Sequence, residues 1–197
     1  MDEILATNLA QAWALLVRGG ADRRSPLHTP AVASLDQTGA PDARIMVLRK
    51  ADPAAATLRF HTDARSPKCI ALHGQKIAIL GYHPQENVQL RLQGHAQIDT
   101  SSEAADEAWA RSTPFARRCY LVQSPPSSPL PGPASGLPLE VEGRDPSEAQ
   151  LLPARANFAL LTAHITRIDW LHLAHTGHRR AFFQREGQTW HSKWLTP

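Results

Sequence analysis

Ile4, Leu5, Leu9, Trp13, Leu16 and Val17 recur at steps of three and four, the spacing that gathers apolar side chains on one face of a helix. It predicts an opening helix over 1–20, ended by Gly19-Gly20. After Ser25-Pro26 and Thr29-Pro30 the period changes. Short apolar runs bounded by turn residues predict strands over 31–35, 44–48, 57–61, 77–82 and 88–98. Asp36–Gly39 reads as a hairpin loop, and Asp52-Pro53 separates the next pair of strands. Ser66 as N-cap and Pro67 at the first helical position start a short helix through Cys69–Leu72. A second helix is predicted over 101–111, with Glu103, Asp106 and Glu107 early and Arg111 late, signs that suit the helix dipole. Strand-like alternation returns over 158–173, 179–185 and 188–195.

Residues 123–146 hold seven prolines among serines and glycines. This is a loop too long for a simple turn, of the kind that covers a site or reaches a partner subunit. Many short strands with helices inserted, not alternating, predict a mainly β fold, an antiparallel barrel in preference to a Rossmann sheet. The glycines agree, since no G-x-G-x-x-G or P-loop pattern occurs.

With 197 residues, 42% hydrophobic and 20% charged, the chain suits one domain with a sizeable core and an ordinary soluble character. Asp2 and Glu3 stand where a signal peptide carries positive charge, and no stretch approaches the roughly 20 apolar residues of a membrane span. Cys69 and Cys119 alone make no disulfide framework or zinc site. The expected location is the cytoplasm, away from membranes. A net charge of +3 spread over scattered Arg and Lys, without a basic run, argues against a nucleic-acid partner. No clustered His and Asp set indicates a metal.

Thr62, Arg65, Ser66 and Lys68, at a strand-loop-helix junction, supply the hydroxyls and charges that a phosphate ester needs. The same residues equally describe a solvated turn. Arg44 and Arg49 bracket an apolar run, either as surface termini of a strand or as an anion site at a barrel mouth. Trp170 precedes Arg180 by ten residues across a turn containing Gly177. Ring and guanidinium suit an aromatic, phosphorylated ligand, while Trp170 alone reads as core.

Together these residues resemble the pyridoxamine 5′-phosphate oxidase family. The resemblance rests on Arg44-Ile-Met-Val-Leu-Arg49, His61-Thr-Asp-Ala-Arg-Ser-Pro-Lys68, Gln89, and Trp170 with Arg180, in that order, before the closing Trp194-Leu-Thr-Pro197. The opening helix and residues 23–30 look like a flavin-binding subgroup of that family rather than the biosynthetic oxidase itself. The resemblance implies an antiparallel six-stranded split β-barrel that binds flavin mononucleotide (FMN), as a homodimer with FMN in clefts between protomers. By the same resemblance Arg44 and Lys68 hold the FMN phosphate, with Arg49 at the same site. His61, Thr62 and Ser66 line its ribityl-phosphate side, and Gln89 faces the ring. Trp170 and Arg180 reach in from the other subunit, and Gln123-Ser124 is a further candidate contact.

Departures from the family pattern fall on the substrate side. Arg49 replaces a Lys, and Pro67 an Arg. The Tyr, Arg and Ser at four-residue intervals are not intact in 113–120, and of an Arg-x-His only His178 remains, with Thr176 in the Arg position. No catalytic side chain is required, because the flavin carries the redox chemistry; His178 is the candidate substrate contact. The expectation is an FMN-binding oxidoreductase similar to pyridoxamine 5′-phosphate oxidase, of undetermined substrate. The alternative is a non-catalytic flavin- or haem-binding split barrel that carries or senses.

Overall fold

The computed structural model describes residues 2–197. Asp2 caps the first helix, its carboxylate accepting from the Ile4 N–H at 3.1 Å, and α1 runs Glu3–Ala21. Leu5, Trp13 and Leu16 face the core as their spacing requires, whereas Ile4 and Val17 stay exposed. The glycines do not end the helix; they lie inside its last turns. A Cβ on Gly19 would sit 2.7 Å from the Leu27 carbonyl oxygen, so glycine lets α1 press against the 3-10 turn Pro26–His28.

The strands are β1 (Ala31–Leu35), β2 (Pro41–Ile45), β3 (Leu48–Asp52), β4 (Thr57–Asp63), β5 (Lys76–His83), β6 (Val88–Asp99), β7 (Phe158–His172), β8 (Arg179–Glu186) and β9 (Thr189–Leu195). They form one nine-stranded sheet in the order β2-β1-β5-β6-β7-β4-β3, with the β8–β9 hairpin branching from β7. Every pairing is antiparallel. The fold class is therefore the expected mainly β split barrel, with more strands than the six anticipated. One source of the difference is the run over 44–48, which is not one strand. It breaks at Met46-Val47, where the Met46 N–H turns to the Pro30 carbonyl at 3.1 Å. Those two residues join strands at opposite ends of the sheet order. At about 3.8 Å per Cα step so short a link forces the sheet's two edges to meet at one corner, which curls the sheet without closing it.

The split itself lies in β7. Its fifteen residues pair with β6 along most of their length. On the other side, Phe158–His164 pair with β4 and Arg167–His172 pair with β8. The change of partner coincides with a bulge. Gln93 pairs with Arg167 and Gly94 with Ile165, leaving Thr166 extra. A Cβ on Gly94 would stand 1.9 Å from the His164 carbonyl oxygen, so only glycine fits there.

The inner face of the sheet and α1 enclose the main core, with Leu48, Leu58, Phe60, Leu90, Ile168 and Phe183 fully shielded. A second, smaller core of Ala105, Tyr120, Ala154, Phe158 and Leu160 lies on the outer face of β7's first half. It is roofed by α3 (Glu103–Ala110), capped by Ser102, and by the 3-10 turns Arg118–Leu121 and Leu152–Asn157. The short helices α4 (Pro114–Arg117) and α5 (Glu148–Leu151) complete this roof, with α2 (Pro67–Leu72) following β4. Residues 123–146 contain no helix or strand, as expected, yet the segment is tied down. Val141 is buried, and Arg118 donates to the Arg144 carbonyl at 2.8 Å. Among the described residues no helix is long and apolar enough to cross a membrane.

Candidate functional site

The outer face of β4, carrying Arg59, His61 and Asp63, stands away from the roof and leaves two adjoining cavities. The first, about 440 Å³, lies at the β2–β3 corner and is lined by Arg49, His61, Thr62 and Lys68, with Tyr120 and Pro126 opposite. Four of the site residues read from the sequence thus converge, and the start of the 123–146 loop covers them. Thr62 points its Oγ1 into a buried position where it has no hydrogen-bond partner. Neither Arg49 nor Lys68 has an ion-pair partner among the described residues. A buried hydroxyl without a partner costs free energy unless a ligand or water satisfies it. Ser66 is buried beneath, at the N-cap of α2, without making a side-chain capping bond.

His61 stands on the shared wall of the two cavities, edge-on to Phe158 with ring centroids 4.9 Å apart. Burial, and then the neighbouring Arg49 charge, push its pKa down to about 4, so the imidazole is neutral near pH 7. Burial likewise pushes the Tyr120 phenol well above its ordinary range.

The remaining residues lie elsewhere. Arg44 does not line the cavity. It folds back on its own strand pair, donating to Ser34 Oγ at 3.0 Å and to the Asp42 carboxylate. Arg65 is also spent internally, pairing with Asp63 at 2.7 Å and pinning the Val122 carbonyl at 2.9 Å. The register places Gln89 opposite Leu171 and Leu171 opposite Arg180, so Gln89 and Arg180 share one row on the outer face of β6–β7–β8. Arg180 is held there by Asp169 through two bonds of 3.0 and 2.7 Å. Trp170 points the opposite way. It is buried in the main core with its Nε1 donating to Gln11 Oε1 at 3.2 Å, the core position that its apolar neighbours favour. His178 is exposed in the β7–β8 turn, and Gln123 and Ser124 are exposed at the start of the long loop.

Known proteins share this sequence and fold in part. The model of the family "Pyridoxamine 5′-phosphate oxidase, FMN-binding domain" matches residues 10–100, the stretch holding α1 to β6 and the whole Arg49–Lys68 cavity edge. Over that stretch the chain is similar to the pyridoxamine 5′-phosphate oxidase-like FMN-binding domains. A pyridoxine/pyridoxamine 5′-phosphate oxidase of Granulibacter bethesdensis is 28% identical over 184 residues, covering 90% of this chain and 84% of that one. Its counterpart in Agrobacterium fabrum is 32% identical over 103 residues, 52% of this chain and 48% of that one. In structure, an FMN binding protein of Nostoc punctiforme related to pyridoxamine 5′-phosphate oxidase superposes with a TM-score of 0.76, at 23% identity over 95% of this chain and 96% of that one. PhzG from Burkholderia lata follows at 0.64, with 20% identity over 98% and 91%. Those likenesses establish the split-barrel fold.

Within that family fold, the second cavity was not legible as a site. It measures about 270 Å³ and is bounded by Arg23, Arg49, Lys50, Arg59 and Arg111, with Glu107 the one carboxylate. Its signal was present in the hairpin around Asp52-Pro53, whose register sets Lys50 directly opposite Arg59. In the 113–120 stretch, where the family pattern is not intact, two arginines are structural. Arg117 donates to the Trp109 and Ala110 carbonyls and to Glu148, while Arg118 holds the Val141 and Arg144 carbonyls.

Proposed function

We propose that this chain is an FMN-dependent oxidoreductase acting as a homodimer, with the flavin between the Thr62–Lys68 cavity of one copy and the outer face carrying Gln89 and Arg180 of the other. The observation that carries this reading is the cavity at the β2–β3 corner, with a partnerless buried hydroxyl and two unpaired cations. Its donors fit the phosphate and ribityl oxygens of FMN, and about 440 Å³ lies within the ordinary range for ligand pockets. In this reading Lys68 and Arg49 balance the phosphate charge, Thr62 gives its hydroxyl, and His61 stays neutral beside the ring. When bound, the isoalloxazine supplies the hydride chemistry.

A second copy enters this reading because Gln89 and Arg180 lie over the other half of the sheet, away from the cavity. That face is apolar next to them. Ile45, Ala31 and Leu80 stand opposite one another across β2, β1 and β5, with Tyr82 beyond, and Ile45 and Leu80 are 65% and 46% exposed. Ile45 also lines the cavity, so the patch runs to its mouth. A contiguous exposed apolar surface of this kind marks an interaction site, and a second copy seated on it would wall the flavin.

The test is absorption of the purified protein and titration with FMN. A colourless protein that takes up no flavin overturns the reading. Lys68→Ala with Thr62→Val should weaken FMN binding by about tenfold or more, as loss of charged and buried hydrogen bonds does. Leu80→Glu should yield a folded monomer that no longer retains FMN. The structural use of Arg117 and Arg118 favours a substrate other than pyridoxamine phosphate. It also keeps a flavin carrier in play. Reduction of the bound flavin by a donor, followed by repeated turnover in air, distinguishes the oxidoreductase from the carrier.

A further inference from the structure

We propose that the Arg65–Asp63 pair is a positioning clasp that holds residues 122–126 as a lid over the Thr62–Lys68 cavity, and so sets how fast a phosphorylated ligand enters and leaves. That this ligand is FMN rests on the flavin reading above; that the lid is clasped does not.

Val122 and Pro126 line the same cavity as Thr62 and Lys68, so the first residues of the long loop form one of its walls. With no helix or strand over 123–146, the segment has no regular structure of its own to fix that path. Arg65 supplies the constraint. From the turn between β4 and α2 its guanidinium meets both oxygens of Asp63, Nε at 3.0 Å and Nη2 at 2.7 Å. The carboxylate also accepts the Arg65 backbone N–H at 2.9 Å, which fixes the pair within its own turn. The same guanidinium then donates to two consecutive carbonyls of the loop, Val122 at 2.9 Å and Gln123 at 3.3 Å. A planar fork makes these bonds together, which a lysine ammonium cannot. Arg65 is 24% and Asp63 10% exposed, so the clasp is shielded from water and is stronger than a surface ion pair.

The loop returns to the point that the clasp grips. The Gln123 N–H donates to the Gly136 carbonyl at 3.1 Å, closing 123–136 into one compact loop with its neck at Arg65. Gly136 is suited to that neck, because its φ is +71° and a Cβ there would stand 3.0 Å from Val122 Cγ1. A ligand that satisfies the partnerless Thr62 hydroxyl comes to lie beside Val122 and Pro126, which share its cavity. Asp63 borders the cavity as well, where a lone carboxylate would repel a phosphate. Arg65 therefore cancels a charge in addition to holding the loop, and the two roles call for separate variants.

The experiment combines stopped-flow flavin fluorescence, which reads FMN association and release, with amide hydrogen exchange over 120–136 in the full chain freed of flavin. Arg65→Met together with Asp63→Asn removes the clasp without leaving an unpaired carboxylate beside the ligand. Exchange at Gln123 and FMN release should each quicken by about tenfold or more, as loss of charge-assisted hydrogen bonds does, while association stays the same or quickens. Arg65→Lys keeps the charge but not the fork and should quicken release by a similar factor. Gly136→Ala, which alters only the neck, should quicken both, whereas Gly132→Ala, in the same loop with nothing within 4 Å, should change neither. Parent-like exchange at Gln123 or parent-like release in the double variant overturns the proposal. So does full recovery in Arg65→Lys, or slower association with release unchanged, since either would assign Arg65 to charge alone. Faster exchange at Gln123 in the variants of a protein that takes up no FMN would uphold the clasped lid while the flavin reading fails.

Discussion

Strand β7 presents two outer surfaces that differ in everything except the pleat. Over Phe158–His164 the surface is roofed by α3 and the 3-10 turns, packed with Phe158 and Leu160, and bordered by cations without partners. Over Arg167–His172 it is bare, and its one carboxylate is shared, with Asp169 joining Arg180 at 2.7 Å and Arg91 at 3.6 Å. A single strand supplies both because the Thr166 bulge lets it change partners. The lesson is a division of labour. The roofed half builds enclosed space with unspent charge, and the bare half builds a flat face with its charges already oriented.

The largest effect should come from the residue that allows the change of partner. Gly94→Ala sets a methyl against the His164 carbonyl in a place where neither backbone can yield. We expect a loss of about 4 kcal/mol or more, or failure to fold. Gly132→Ala, where nothing lies within 4 Å, should stay within about 0.5 kcal/mol in the same urea melts. A stable Gly94→Ala protein would mean that the bulge does not divide the strand. Phe158→Ala comes next. The side chain is fully buried against Trp109, Tyr120 and His61, and its removal should cost about 3 to 4 kcal/mol by the same measurement. It should also bring the His61 pKa back toward its ordinary value, which nuclear magnetic resonance titration would read.

The sequence made the barrel half of this contrast readable and left the roof obscure. Alternation marked β5 and β6 closely, because one face of each meets the core and the other meets solvent. It failed at 44–48, where apolar residues continue through a corner and only the Met46 bond to Pro30 reveals the break. On the main-core face of β7 the buried positions run 159, 161, 163, 165 and then 168 and 170, a phase shift that the bulge makes and that strict alternation does not anticipate. Of the candidate site, Arg49, His61, Thr62 and Lys68 converge as their motif suggested. Trp170 and Arg44 do not join them, since neither spacing nor motif shows that Gln11, Ser34 and Asp42 claim their polar atoms. The second cavity escaped because it needs the register of β3 on β4 together with a helix forty residues later.

His61 lets the roofed half be tested by pH. In the unfolded chain it takes up a proton near pH 6.5, whereas in the fold burial and Arg49 delay this to about 4. The stability it contributes is present above pH 6.5 and is lost as pH falls toward 4, a loss of about 3 kcal/mol. His61→Phe should flatten that slope in urea melts run across the same window. An unchanged slope would show that the imidazole is not held neutral there.

The smallest expected effect belongs to the bare half and sharpens the contrast most directly. Asp169→Asn keeps the side chain's size but removes the charge that holds Arg180 and faces Arg91. Asp169 is only 13% exposed, yet both arginines retain contact with water at 26% and 54%, so neither is stranded by the change. Stability should fall by about 1 kcal/mol, and a double-mutant cycle with Arg180→Gln should give a coupling of similar size that weakens with salt. If the bare face completes the partner's flavin site, FMN affinity should fall more than stability does, because a loosened Arg180 must be re-ordered when the ligand arrives. A fall in stability with FMN affinity untouched would assign the Asp169–Arg180 pair to the sheet alone, and the functional weight would then rest on the roofed half.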